Sequence, residues 1–156
     1  MKKLLVSLAM VFGFAVSSLG SAQSDGFGIY SGYPVFIGGQ FQTNNLRFSV
    51  GFGTYGIGGG ADFIFLKNAI ATGSPDLKLS WYAGAGVNAF LYSSLFVGSG
   101  IYLAPHGLAG VEYQLPNSTI SVYGEAQLGF AFGLGGFTGP VGGFDFGFRG
   151  GAIFRP

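Results

Sequence analysis

The sequence predicts an all-β fold, an antiparallel up-and-down transmembrane β-barrel of eight strands that follows a cleaved signal peptide. Three observations predict it. Charged residues make up only 8% of the 156 positions while aromatics make up 17%, a balance foreign to a soluble domain. After Val16 no stretch of eighteen apolar residues occurs, so helices cannot cross a bilayer here. Period-two alternation of apolar and polar residues recurs along the rest of the chain. A closed barrel is the remaining way to satisfy every backbone group in hydrocarbon.

The chain opens with Lys2 and Lys3, an apolar run from Leu4 to Val16, and a small-residue stretch ending Gly20-Ser21-Ala22. That order is a secretory signal, with cleavage expected after Ala22. The run is too short for a retained membrane anchor. With no cysteine in the chain, a lipid-anchored lipoprotein and a disulfide framework are both excluded. Residues 1–22 are therefore read as the signal peptide and residues 23–156 as one barrel domain.

Strands are expected at 25–32, 35–42, 46–56, 59–67, 76–90, 106–115, 118–130 and 142–154. The first two are short and broken by Pro34, so the region reads as two strands or as one merged strand. In the third, Leu46, Phe48, Val50 and Phe52 alternate with Arg47, Ser49, Gly51 and Gly53. The fourth, "GGADFIFLK", is apolar on both faces around Ile64 and Leu66. The fifth sets Leu77, Leu79, Trp81, Ala83, Ala85 and Val87 against Lys78, Ser80, Tyr82, Gly84, Gly86 and Asn88, long enough to cross a membrane when tilted. The sixth opposes Ala109, Val111 and Tyr113 to His106, Gly110 and Glu112, and the seventh opposes Ile120, Val122, Ala126 and Leu128 to Ser121, Tyr123, Glu125 and Gln127. The last places Phe144, Phe146 and Phe148 between Asp145 and Arg149. Tight turns at 43–45 and 117–118 fall on one side, and glycine-rich loops at 91–105 and 131–140 on the other. An even strand number puts both ends on the side of the tight turns.

One register places Arg47, Asp62, Lys78, Glu112, Glu125, Asp145 and Arg149 on the polar face, as an interior ion-pair network, beside His106, Tyr82, Tyr123 and Gln127. Phe48, Trp81, Val111, Val122 and Phe146 then face lipid. Slipping each strand by one residue would expose the charges. At about 2 to 4 kcal/mol per basic residue at mid-depth, and less for acidic ones, that register is worse by roughly 10 to 20 kcal/mol. A loop centred near Phe137 sets partners summing to about 274 opposite each other, which pairs Glu125 with Arg149 as a central ion pair; a turn at Asn117-Ser118 sets Gly110 opposite Glu125 and leaves room for the arginine to reach over.

With this pattern the chain resembles the small eight-stranded outer-membrane barrels of diderm bacteria, a porin-like class that includes envelope-anchoring, adhesion-associated and lipid A modifying members. The segment "PHGLAGVEYQLPNSTISVYGEAQLGF" looks like the G-x-E-Y hairpin of small barrels that carry no assigned activity. The resemblance implies a location in the bacterial outer membrane and contact with its lipid and with the barrel-insertion machinery. The chain departs from the class at its end, where Phe154 is followed by Arg155 and Pro156.

Motifs for chemistry are weak. Gly51 to Gly56, "GFGTYG", spells a dinucleotide fingerprint with Asp76 downstream, but "IGGGADFIF" after it cannot open a helix. Asn117-Ser118-Thr119 spells a glycosylation sequon on a turn. His106 is the only histidine, so no metal cluster is expected, and no cofactor. With Glu112 or Glu125 and a serine such as Ser80 or Ser94 it suggests a triad, as in the barrels that deacylate lipid A. That family carries a serine two residues after its histidine, where this chain has Leu108, and the alternation turns His106 inward. The expectation is a non-enzymatic barrel with a structural or surface-interaction role, without a nucleic-acid partner, and with any surface partner held through 91–105 and 131–140. Open alternatives are a soluble lipocalin-like barrel binding a hydrophobic ligand, a narrow channel, and a lipid A modifying enzyme.

Overall fold

A computed structural model describes residues 25–74, 76–94, 98–135 and 142–156. Eight antiparallel strands follow one another around a closed barrel: β1 (Gly26–Tyr33), β2 (Val35–Thr43), β3 (Leu46–Gly53), β4 (Gly56–Ile70), β5 (Lys78–Ser94), β6 (Gly98–Gln114), β7 (Ile120–Gly135) and β8 (Gly142–Phe154). Strand β1 pairs with β8 and closes the ring, so no edge is left unpaired. The region around Pro34 is thus two strands.

Turn chemistry fixes the hairpins. Asn44, φ 50°, and Asn117, φ 53°, take the left-handed conformation that asparagine tolerates. The β3–β4 turn is Thr54-Tyr55, closed by the Gly53–Gly56 pair, and not the expected 57–58. Gly56 has φ 100°, which a side chain would oppose, and this pulls the turn three residues forward.

The long loops shrink. Strand β5 runs to Ser94 and β6 starts at Gly98, so most of 91–105 is paired wall, Leu91 lying opposite Ile101. Strand β7 likewise runs to Gly135, taking in 131–135. Leu95, Phe96 and Phe137 lie outside the described residues. Glycine and proline suggested loop, yet Pro105 fits because the ladder from β6 to β7 is interrupted between Leu103 and His106, where a missing N–H costs nothing.

Two bulges explain where alternation fails. Between Val35 and Ile37 the register of β2 shifts, and Phe36 and Ile37 both point outward. Between Ile64 and Leu66 in β4 the extra residue is Phe65. Asp62 and Ile64 are buried before it; after it Leu66 is exposed and Lys67 pairs with the inward Tyr82.

The barrel is inside out relative to a soluble sandwich. Phe48, Trp81, Val111, Val122 and Phe146 all lie on the outer surface, as do Phe27, Ile29, Leu128 and Phe144. Buried positions hold Arg47, Asp62, Glu125, Gln127 and Arg149 together with Tyr30, Tyr82 and Tyr123.

Candidate functional site: the charged interior

Cross-strand ladders bring the charges together. One runs Arg47–Asp62–Gly86–His106 across β3 to β6. Another runs Lys67–Tyr82–Gly110–Glu125–Arg149 across β4 to β8. Because barrel strands tilt, each ladder climbs as it circles, and residues from opposite walls meet across the lumen. The glycines clear the space: a Cβ on Gly110 would sit 2.6 Å from the Tyr82 ring, and one on Gly86 would strike the Asp62 carboxylate.

Glu125 does lie opposite Arg149 and Gly110 opposite Glu125, but the result is a quartet and not a pair. Arg149 Nε donates to Glu125 Oε1 at 2.5 Å while its Nη2 bonds Asp62 Oδ2. Arg47, reaching from β3, donates from Nη2 to both Glu125 oxygens at 2.9 and 2.7 Å and from Nε to Asp62 Oδ2 at 3.1 Å. Two guanidinium groups and two carboxylates thus form a closed ring of zero net charge. Each is buried, and each carboxylate touches both arginines, which offsets desolvation that a lone pair would not. The space over Gly110 is taken by Tyr82, not by the arginine: its hydroxyl donates to Glu125 Oε2 at 2.7 Å.

A shell of further side chains completes the cluster. Gln127 Nε2 donates to Glu125 at 3.0 Å, and His106 Nε2 lies 3.1 Å from Asp62 Oδ1. The Arg47 guanidinium lies 5.4 Å from the Tyr123 ring centre and that of Arg149 lies 5.4 Å from Tyr30, within cation–π range. Tyr123 donates to Gln40 Oε1 at 2.7 Å.

Glu112 belongs to a separate group. Lys67 Nζ and Arg155 Nη1 each lie 2.8 Å from its carboxylate, and Arg155 also donates to Ser121 Oγ at 2.8 Å. Neither cation was expected there. The bulge at Phe65 hid Lys67, and Arg155 follows the last expected strand residue. Two members of the expected network stand apart. Lys78 is exposed at the start of β5 and makes no ion pair among the described residues, because it begins its strand beyond the charged layers. Asp145 is half-buried near the opposite end, with the Tyr102 hydroxyl at 3.5 Å and Gly129 as its ladder neighbour. There Tyr55 stacks on Tyr102, centres 4.4 Å apart, and meets Phe90 edge-on.

Around the ring the space is small, whereas a wider opening of about 450 Å3 lies beside Lys67, Ser80, Glu112 and Gln114. A cavity lined in part by Tyr30, Asn88, Gln127 and Arg149 measures about 10 Å3, room for about one water. Ser80 Oγ donates to the Glu112 carbonyl at 3.5 Å, away from the His106 ring, and the Ser94 side chain lies outside the described residues. The residues "GFGTYG" form the β3–β4 hairpin, with no helix to receive a phosphate. No His, Cys, Asp and Glu group suited to a metal occurs among the described residues. The chain matches no family model, and neither a curated protein nor a solved structure is detectably similar to it.

Proposed function

We propose that this chain is an integral outer-membrane barrel of a diderm bacterium, exported by its signal peptide and serving a structural or surface-interaction role. The observation that carries the reading is the outward distribution of apolar side chains. From Ile29, 71% exposed, to Ile120, 38% exposed, large aliphatic and aromatic groups stand on the outside of all eight strands. In water such a surface would drive association. In lipid it is the expected exterior, and the same chain keeps its arginines and carboxylates inside.

The interior supports the non-catalytic, closed form of this reading. A lipocalin-like carrier needs an apolar cavity, whereas this lumen is filled by the Arg47, Asp62, Glu125 and Arg149 ring. The same ring stands across the path a narrow channel would use. His106 is engaged by Asp62 and by the Ala104 carbonyl at 3.0 Å, and no serine among the described side chains bonds it. Outer-membrane lipid and the barrel-insertion machinery are the partners that follow from this reading.

Fractionation of expressing cells tests it. The protein should leave the envelope only in detergent and run faster on a gel unheated than boiled, since a closed barrel resists detergent unfolding. Recovery as a soluble monomer without detergent would contradict it.

A further inference from the structure

The wall of the barrel has two heights. Strands β1, β2 and β3 have 8, 9 and 8 residues, while β5 and β6 have 17 each. At about 3.3 Å per residue and a tilt of about 40°, the first group rises roughly 20 Å and the second roughly 43 Å. The outward apolar bands differ in the same way. From Leu46 to Phe52 on β3 the band is roughly 15 Å, and from Leu79 to Leu91 on β5 roughly 30 Å. A barrel's lipid-facing band is normally about 25 Å all round.

The short flank is mostly apolar, with Ser31 as an exposed polar side chain that bonds the Phe36 carbonyl. Phe27, Ile29, Phe36, Phe48, Val50 and Phe52 stand outward on it, between 45 and 71% exposed, and no charged residue joins them. Both of its edges end in polar turns, Asn44-Asn45 at one and Thr54-Tyr55 at the other. The groups left unpaired in those turns need water. Tilting the whole barrel would only lower the projected height of this flank.

We propose that the β1–β3 flank contacts a locally thinned bilayer, a lipid annulus several ångströms shorter than the one along β5–β7. This rests on the membrane reading above. A hydrophobic face shorter than the surrounding hydrocarbon thins the bilayer or recruits a protein neighbour. Geometry favours lipid. Three strands about 4.8 Å apart on a narrow convex wall cannot all be covered by a second convex barrel, which touches along about one strand, so most of the flank still meets lipid.

The absence of cysteine permits single nitroxide labels at Asn44→Cys, Val50→Cys and Thr54→Cys, with Val111→Cys on the tall side as reference. Collision with oxygen and with a water-soluble nickel reagent would be measured in palmitoyl-oleoyl phosphatidylcholine bilayers. The expected result is oxygen contact at Val50 and Val111 with nickel contact at both turns, because water then reaches two points only about 25 Å apart, across a hydrocarbon layer that is otherwise about 30 Å thick. Oxygen contact without nickel at either turn would place that turn in hydrocarbon and overturn the thinning. Shielding of Val50 from both reagents would overturn it in favour of a protein neighbour. Nickel contact at Val50 and Val111 alike would instead overturn the membrane reading.

Discussion

Glu125 accepts hydrogen bonds from Arg47, Tyr82, Gln127 and Arg149, so one carboxylate satisfies donors from β3, β5, β7 and β8. Replacing it with glutamine keeps the volume and removes the charge, which leaves two arginines facing Asp62 alone. Stranding a buried charge costs about 3 to 5 kcal/mol, and removing a partner with it costs less. Urea unfolding in detergent should therefore show Glu125→Gln as strongly destabilising, with Arg149→Met added to it costing less than the sum of the two single changes. Additivity within about 0.5 kcal/mol would mean that the two side chains do not interact. The pairing of Glu125 with Arg149 was legible in the sequence because antiparallel register follows from a loop centre by arithmetic. The reach of Arg47 across the lumen was not, since alternation reports the face of a strand and says nothing about which opposite wall a long side chain meets.

At the scale of the element, a single residue sets the phase of half a strand. Phe65 is the extra residue of the β4 bulge; paired in the ladder as a regular strand residue, it would turn Leu66 inward and Lys67 outward. Deleting Phe65 should therefore close the bulge and keep the Ile64–Gly84, Leu66–Ala83 and Lys67–Tyr82 pairs, with Lys67 still turned inward to Glu112. On the membrane reading, pairing Phe65 in the ladder would instead set the Lys67 ammonium against lipid, at a cost of up to about 2 to 4 kcal/mol at mid-depth and less near the interface. The expected outcome is a urea midpoint close to that of the parent protein, with Lys67→Leu still destabilising in the deletion background; a midpoint lowered by the deletion and partly restored by Lys67→Leu would show that Phe65 is not the residue left out of the ladder. Bulges also mark where sequence reading fails, because "ADFIFLK" obeys no single alternation until one residue is left out of the ladder. The last strand has no bulge, and its bounds at 142 and 154 were readable directly from Phe144, Phe146 and Phe148. Strand β6 was cut short by eight residues because glycine and Pro105 imitate a loop.

At the scale of the molecule, apolar residues outside and a neutral ring of charges inside are two results of the same alternation. Closure of the sheet pairs the backbone, the outer face carries the large apolar side chains, and the ring holds opposite walls together through charges. Such a molecule is legible as a class from its sequence. The chain carries one tryptophan, Trp81, which stands outward on β5 at 40% exposure beside the inward Tyr82. Its fluorescence reports the surroundings of the outer face in the unmodified protein. After reconstitution into phosphatidylcholine bilayers, emission from Trp81 should be quenched by phospholipids brominated on the acyl chain and left nearly unchanged by iodide in the buffer. Strong iodide quenching with no response to the brominated lipid would place the apolar face in water and contradict the transmembrane barrel.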